Sequence, residues 1–243
     1  EYDENNATAS SAVVNNGVLT LVGNGSIKAT NNYTVRNYGT MIIDGVTIDH
    51  QTFYEKLIES DVLPSTSQAN QGAFMKEFDK VKEAGESAVV ITLASKLSGT
   101  YQSAMIAVED YENIYVVDST SAAVGSGILV ELALRLLDEG KSAKEIAAIL
   151  EEEKKNIVLV ALVDTLEYLK KGGRISKTVA FAGAVLNIKP VLSVVDGEIC
   201  LLGKARGSKM GNNLLVQEIN KAGGIDFNKP LLLGYTGISD ALL

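Results

Sequence analysis

Ala88-Val-Val-Ile-Thr-Leu-Ala-Ser-Lys-Leu-Ser-Gly-Thr-Tyr-Gln-Ser103 decides the fold. The run from Ala88 to Leu93 has the length and apolar character of a buried strand. Residues Tyr101 to Glu109 read as a helix, so a Ser- and Gly-rich turn closes a strand and opens a helix. At such a turn the first N–H groups of the helix lack intrahelical partners, and the helix dipole favours negative charge. In an open α/β sheet this edge is where ligands bind. The loop is therefore expected to hold a small anionic group.

The same pattern recurs downstream. Ile114 to Asp118 reads as a strand, Ser119 to Gly127 as a second Ser/Gly-rich turn, and Ile128 to Glu139 as a helix ended by Gly140. Ser142 caps a helix over Ala143 to Lys155, with Glu145 at the capping-box position. Upstream, Gln51 to Ser60 and Gln71 to Ala84 read as helices, the second with Phe74 and Phe78 at i, i+4. Pro64 fixes an extended loop over Val62 to Gln68. Strand and helix in alternation are the signature of a parallel α/β layer. Beyond it come a strand over Ile157 to Val163, a short helix over Thr165 to Lys171 stopped by Gly172-Gly173, and a helix over Lys177 to Ala184. Asp196-Gly197 joins Ile188–Val195 to Glu198–Leu202 as a hairpin. A helix over Gly207 to Ala222, a strand over Leu231 to Tyr235 and a helix from near Asp240 complete this part.

The opening differs. Residues 1–48 are rich in Asn, Thr, Gly and Val, and they repeat: Gly17 to Gly39 and Gly23 to Gly45 are both 22 positions. Short strands broken by Asn-Gly and Asp-Gly suit coils of a β-solenoid or a pair of β-hairpins, and both readings stand. The fold class is thus α/β, with three parts. Residues 1–48 form a β-rich, solenoid-like repeat segment, 49–156 a parallel α/β domain with the anion loop, and 157–243 an α+β domain that looks truncated.

Composition narrows the function classes. The formal charge of −8 argues against non-specific nucleic-acid binding and anionic membrane surfaces. One Cys, Cys200, and one His, His50, leave no expectation of a metal site, a cofactor or an intrachain disulfide. No apolar run reaches the length of a membrane span. Sparing use of cysteine suits a cytoplasmic protein. A chain that opens on Glu1 rather than Met is what a fragment would show.

Four stretches together resemble the DegV family: Thr66-Ser-Gln68; Ser95-Lys-Leu-Ser-Gly-Thr-Tyr-Gln-Ser103; Leu166-Glu-Tyr-Leu-Lys-Lys-Gly-Gly-Arg-Ile-Ser176; and Ile188-Lys-Pro-Val-Leu192 with Asp196-Gly197. Val117-Asp118-Ser119 fits as well, and the resemblance runs from about residue 49 onward. It implies two α/β domains with a long-chain fatty acid buried between them. It also implies a non-enzymatic, bacterial lipid-binding subunit that presents the carboxylate to a separate kinase subunit, which makes an acyl phosphate. Carried over, Thr66 with Ser67 would bind the carboxylate from one side. Ser95, Ser98, Gly99 and Thr100 would close the other. Arg174 would lie near the carboxylate end or the kinase-docking face. The resemblance also brings an opening Asp-Ser-Thr turn and a closing His-x-Gly-Pro-Gly loop, which this sequence does not contain. On that count the carboxylate site is expected to be incomplete.

Plainer readings stand beside these. Ser98-Gly99-Thr100 can be a helix N-cap alone, Thr66-Ser67 a plain loop and Arg174 a surface charge. Asp118-Ser119 reads as a turn, and Cys200 as core. Two other functions compete: acyl transfer at the Ser-rich loop, for which no Gly-x-Ser-x-Gly elbow exists, and a structural or surface-interaction role for the repeats in a remnant that no longer binds lipid.

Overall fold

The computed structural model describes residues 11–15, 33–37, 53–55, 66–175 and 187–236, with backbone alone for 11–15 and 33–37. A four-stranded parallel sheet has the order β2-β1-β3-β4, where β1 is Ser11–Asn15, β2 Tyr33–Asn37, β3 Ala88–Thr92 and β4 Ile114–Asp118. Every residue of β3 is buried, because helices cover both faces of the sheet. On one face Val89 and Ile91 pack with Val117 against α3 (Val124–Asp138) and α4 (Ala143–Glu153), through Leu129, Ala133, Leu136, Ile146 and Leu150. On the other, Ala88 and Val90 meet α1 (Gln71–Glu83) and α2 (Thr100–Ala107), through Phe74, Phe78, Ala104 and Ala107. That is why β3 reads as a continuous apolar run rather than an alternating one.

Local signals set the helix ends. Asn70 caps α1 by accepting from the Ala73 amide at 2.9 Å. Ser142 and Glu145 close the expected capping box at the start of α4. Helix α3 begins at Val124, four residues earlier than expected, in a stretch whose glycines suggested a loop. Those glycines serve close packing instead. A Cβ on Gly125 would sit 2.0 Å from Ser121 Oγ, and one on Gly127 3.1 Å from Leu232 Cδ1.

A second, antiparallel sheet has the order β5-β6-β7. Strand β5 (Val160–Leu162) is shorter than expected, and β7 (Glu198–Arg206) is longer, pairing along the full length of β6 (Ile188–Val195). Asp196 and Gly197 both adopt positive φ, 49° and 79°, as a two-residue hairpin turn with the right twist requires. Helix α5 is Glu167–Lys171, and α6 is Ser208–Lys221. Helix α6 lies on this sheet through Gly211, where a Cβ would fall 3.0 Å from Lys189 Cβ. Cys200 is half-buried in β7.

The expected strand over Leu231 to Tyr235 is irregular. No described strand pairs with it, and it lies instead along the first turn of α3, with Gly234 beside Val124. The expected helix over Lys177 to Ala184, the one near Asp240 and most of the Gln51 to Ser60 helix lie outside the described residues. Of the last, 53–55 are helical.

In the N-terminal region, β1 and β2 run parallel, so they are not the two arms of a hairpin. Their register places Ser11 against Tyr33, an offset of 22 residues that equals the sequence repeat. A free-standing solenoid is not shown. The strands extend the α/β sheet, with Val13 against Val89 of β3. The rest of 1–48 lies outside the described residues.

Candidate functional site

In a parallel sheet, neighbouring strands end on the same side. Thr92 and Asp118 are register partners at the carboxyl ends of β3 and β4, so both Ser/Gly-rich turns leave the sheet side by side.

The turn after β3 folds back on itself. The Leu97 and Ser98 amides both donate to the Ala94 carbonyl, at 2.9 and 3.2 Å. The Ser98 and Thr100 hydroxyls are 2.9 Å apart, and the Thr100 amide donates to Ser98 Oγ at 3.3 Å. The N-cap in this stretch is Gly99, without a side-chain capping bond, while Ser98 precedes it, accepts the first helix amide and faces a second hydroxyl. Among the described residues, no backbone carbonyl accepts from the Tyr101 or Gln102 amide. These belong to the first turn of α2, where unsatisfied donors and the dipole create an anion-attracting end. Thr92, one residue before the turn, is fully buried, and among the described residues its Oγ1 has no hydrogen-bond partner.

Asp118 joins the two turns. Its carboxylate accepts from the Ser95 amide at 3.2 Å through each oxygen, and from the Thr120 amide at 2.9 Å. The Ser95 amide is thus committed within the protein, and only the exposed side chain of Ser95 faces outward. Burial raises the Tyr101 phenol above its ordinary value of 10.0, with the Asp118 charge as the next cause. Asp118 is a turn residue, as expected: it accepts the amide two residues on, and it also accepts the Ser95 amide of the neighbouring turn.

The first loop and the second sheet both reach this turn. Thr66 and Ser67 are exposed, and Gln68, next in the chain, donates through Nε2 to Ser103 Oγ at 3.1 Å. Helix α5 ends in a Schellman motif: Arg174 N–H donates to the Leu169 carbonyl and Gly173 N–H to that of Lys170, with Gly173 at φ 74°. That ending aims Arg174, whose Nε donates to the Leu97 carbonyl at 3.3 Å. Lys96 pairs with Glu198 at 3.2 Å, and a Cβ on Gly197 would lie 3.4 Å from that of Ala94.

The structure therefore brings Ser95, Ser98, Gly99, Thr100 and Arg174 to one loop. Thr66 and Ser67 stand at its border through Gln68. Gln68 belongs to the Thr66-Ser-Gln68 motif, but nothing in the sequence assigns it a role. Nor does the sequence assign one to the buried hydroxyls Ser119, Ser121 and Ser126, which only packing distinguishes from surface serines. Among the described residues, no cluster of His, Cys, Asp and Glu could hold a metal ion. No described helix is long and apolar enough to cross a membrane.

Residues 32–240 match the family described as "Uncharacterised protein, DegV family". The match begins ahead of Asp49, so part of the segment in which no family likeness was read belongs to it. A DegV domain-containing protein of Caldanaerobacter subterraneus subsp. tengcongensis is 38% identical over 80% of this chain and 69% of its own length. A protein of Thermotoga maritima named "Fatty acid-binding protein" is 35% identical, over 70% of this chain and 60% of that protein. The crystal structure of a DegV lipid binding protein, also from Thermotoga maritima, superposes with a TM-score of 0.64 at 32% identity. That superposition covers 71% of this chain and 61% of that one. The chain spans 61 to 69% of the length of three curated relatives that it matches.

Proposed function

The chain belongs to the DegV family, and from that premise we propose that it binds a long-chain fatty acid and holds its carboxylate at the β3–α2 turn. One observation carries the reading. Donors that suit a carboxylate converge on a single loop at the carboxyl edge of a parallel sheet: the Ser98 and Thr100 hydroxyls 2.9 Å apart, and the amides of the first turn of α2. Hydrogen bonds to an ionised acceptor are stronger than neutral ones. Two relatives whose names speak of fatty acid or lipid binding support the choice of ligand.

In this reading Ser98 and Thr100 bind the carboxylate, Thr66 and Ser67 approach from the neighbouring loop, and Ser95 offers its side chain. Gly99 lies between the two hydroxyls and leaves the approach to them free of a side chain of its own. Arg174 fixes the Leu97 carbonyl and leaves a positive charge at the rim. The acyl chain lies between the two sheets, where burial stabilises it by about 0.8 kcal/mol per CH₂. The protein itself is not the catalyst. It presents the carboxylate, in the cytoplasm, to a separate kinase subunit that recognises the face around Arg174.

Delipidated protein, titrated with oleate and observed by native mass spectrometry, tests this. One bound oleate per chain is expected. Ser98→Ala should weaken binding about tenfold to a hundredfold, as loss of a hydrogen bond to a charged group implies. No bound acyl chain in the purified protein, together with no thermal shift on adding oleate or palmitate, would overturn the proposal.

A further inference from the structure

We propose that Gln68 is the positioning residue that sets the distance between the Thr66-Ser67 loop and the Ser98-Thr100 turn, and that Gly99 is glycine to admit it. The inference rests on the carboxylate-site reading above.

Gly99 has φ −70° and ψ 5°, a conformation open to any residue, so backbone freedom does not explain a glycine there. Space does. A Cβ on Gly99 would lie 1.9 Å from Gln68 Oε1, 2.7 Å from its Cδ and 3.0 Å from its Nε2. The whole carboxamide therefore lies over the Gly99 Cα. From there Nε2 donates to Ser103 Oγ at 3.1 Å. Ser103 is buried in the first turn of α2, and its amide bonds to the Gly99 carbonyl at 3.0 Å. Gln68 thus grips the start of α2 from two directions, against Gly99 and on Ser103. It is one residue from Ser67 and two from Thr66, so their reach is fixed to within the play of a short extended segment. The next residue, Ala69, is buried against the α1–α2 core, which anchors the segment from behind.

Gln68 is itself exposed, so its removal leaves the core intact and separates positioning from folding. The experiment compares wild type, Gln68→Ala, Gly99→Ala and the double variant in three measurements: oleate affinity, melting temperature without ligand, and hydrogen–deuterium exchange over 66–70 without ligand. Gln68→Ala should lose about tenfold in affinity, the size of one hydrogen bond. Its melting temperature should hold and protection at 66–70 should fall. Gly99→Ala should lose more, because its Cβ displaces the carboxamide. In the double variant the added methyl should cost nothing beyond Gln68→Ala alone. Unchanged affinity and unchanged exchange in Gln68→Ala would overturn the proposal, as would equal losses from Gly99→Ala with and without Gln68. If wild type binds no oleate, the functional reading fails, and the ligand-free exchange still decides whether Gln68 holds the loop.

Discussion

Two turns of nearly the same composition leave the same edge of the parallel sheet, and they are built to opposite ends. In the turn after β4, Ser119 and Ser121 are buried together with Ser126 of the first turn of α3, and the Ser119 hydroxyl ties the three together. Ser119 Oγ lies 2.8 Å from Ser126 Oγ, donates to the Ser121 carbonyl at 3.2 Å and accepts the Ser121 amide at 3.2 Å. Thr120 and Ala123 are held at φ 49° and 47°, a region non-glycine residues rarely occupy. In the turn after β3, Ser95 is exposed, Ser98 is half-buried, and among the described residues no backbone carbonyl accepts from the Tyr101 or Gln102 amide. The turn after β4 is a brace and the turn after β3 a receptor. The Ala94 amide donates to the Ser121 carbonyl at 2.8 Å, so the brace supports the receptor.

The sharpest break in this contrast is Gly125→Ala. The new Cβ would fall 2.0 Å from Ser121 Oγ and 3.2 Å from Leu159 Cδ1. Overpacking of this kind in the brace should cost about 3 kcal/mol, read as a drop in melting temperature with or without fatty acid. Ser119→Ala comes next. It strips the Ser121 amide and Ser126 hydroxyl of a buried partner, at about 1–3 kcal/mol in urea unfolding. Ser98→Ala in the receptor should cost about 1 kcal/mol of stability, the net scale of one part-buried hydrogen bond, while its effect on oleate affinity exceeds that of Ser119→Ala. If Ser98→Ala proved the more destabilising of the two, the assignment of brace and receptor would be reversed.

The smallest effect probes Asp118, which touches both turns. Burial and then Asp118 hold the Tyr101 phenol protonated above its ordinary value of 10.0. For an acid whose folded value is raised, the linked stability is fully present below the unfolded value and lost as pH climbs through the folded one. The loss should therefore begin above pH 10. In Asp118→Asn the phenol should titrate closer to 10.0 without reaching it, because burial, the larger cause, remains. Ultraviolet titration against a Tyr101→Phe reference reads this directly. An unmoved phenol would remove Asp118 from its surroundings.

The two layers were legible in sequence where one local rule decided the outcome. The apolar run of β3, the Ser142–Glu145 box and the Asp196-Gly197 turn each carry their own geometry. The register of β1 on β2 has the same 22-residue offset as the repeat, but neither the solenoid nor the hairpin reading is shown by it. The illegible parts depend on distant partners. Helix α3 starts at Val124 because Gly125 and Gly127 meet Ser121 and Leu232, whereas from sequence those glycines punctuate a loop. The Leu231 to Tyr235 run has strand composition and no described strand beside it. Arg174 reaches Leu97 across 77 positions, a contact no window of sequence contains. Composition announced both Ser/Gly-rich turns equally. Burial, set by α3 packing over the second, separates them.

The account stands or falls on whether the β3–α2 turn recognises a carboxylate. Displacement of a fluorescent fatty acid by oleate and by its methyl ester measures that directly, because the two share the acyl chain and differ in the charged head. Oleate should compete at least about tenfold more strongly, as loss of charge-assisted hydrogen bonds requires. Equal competition by the ester would contradict the account.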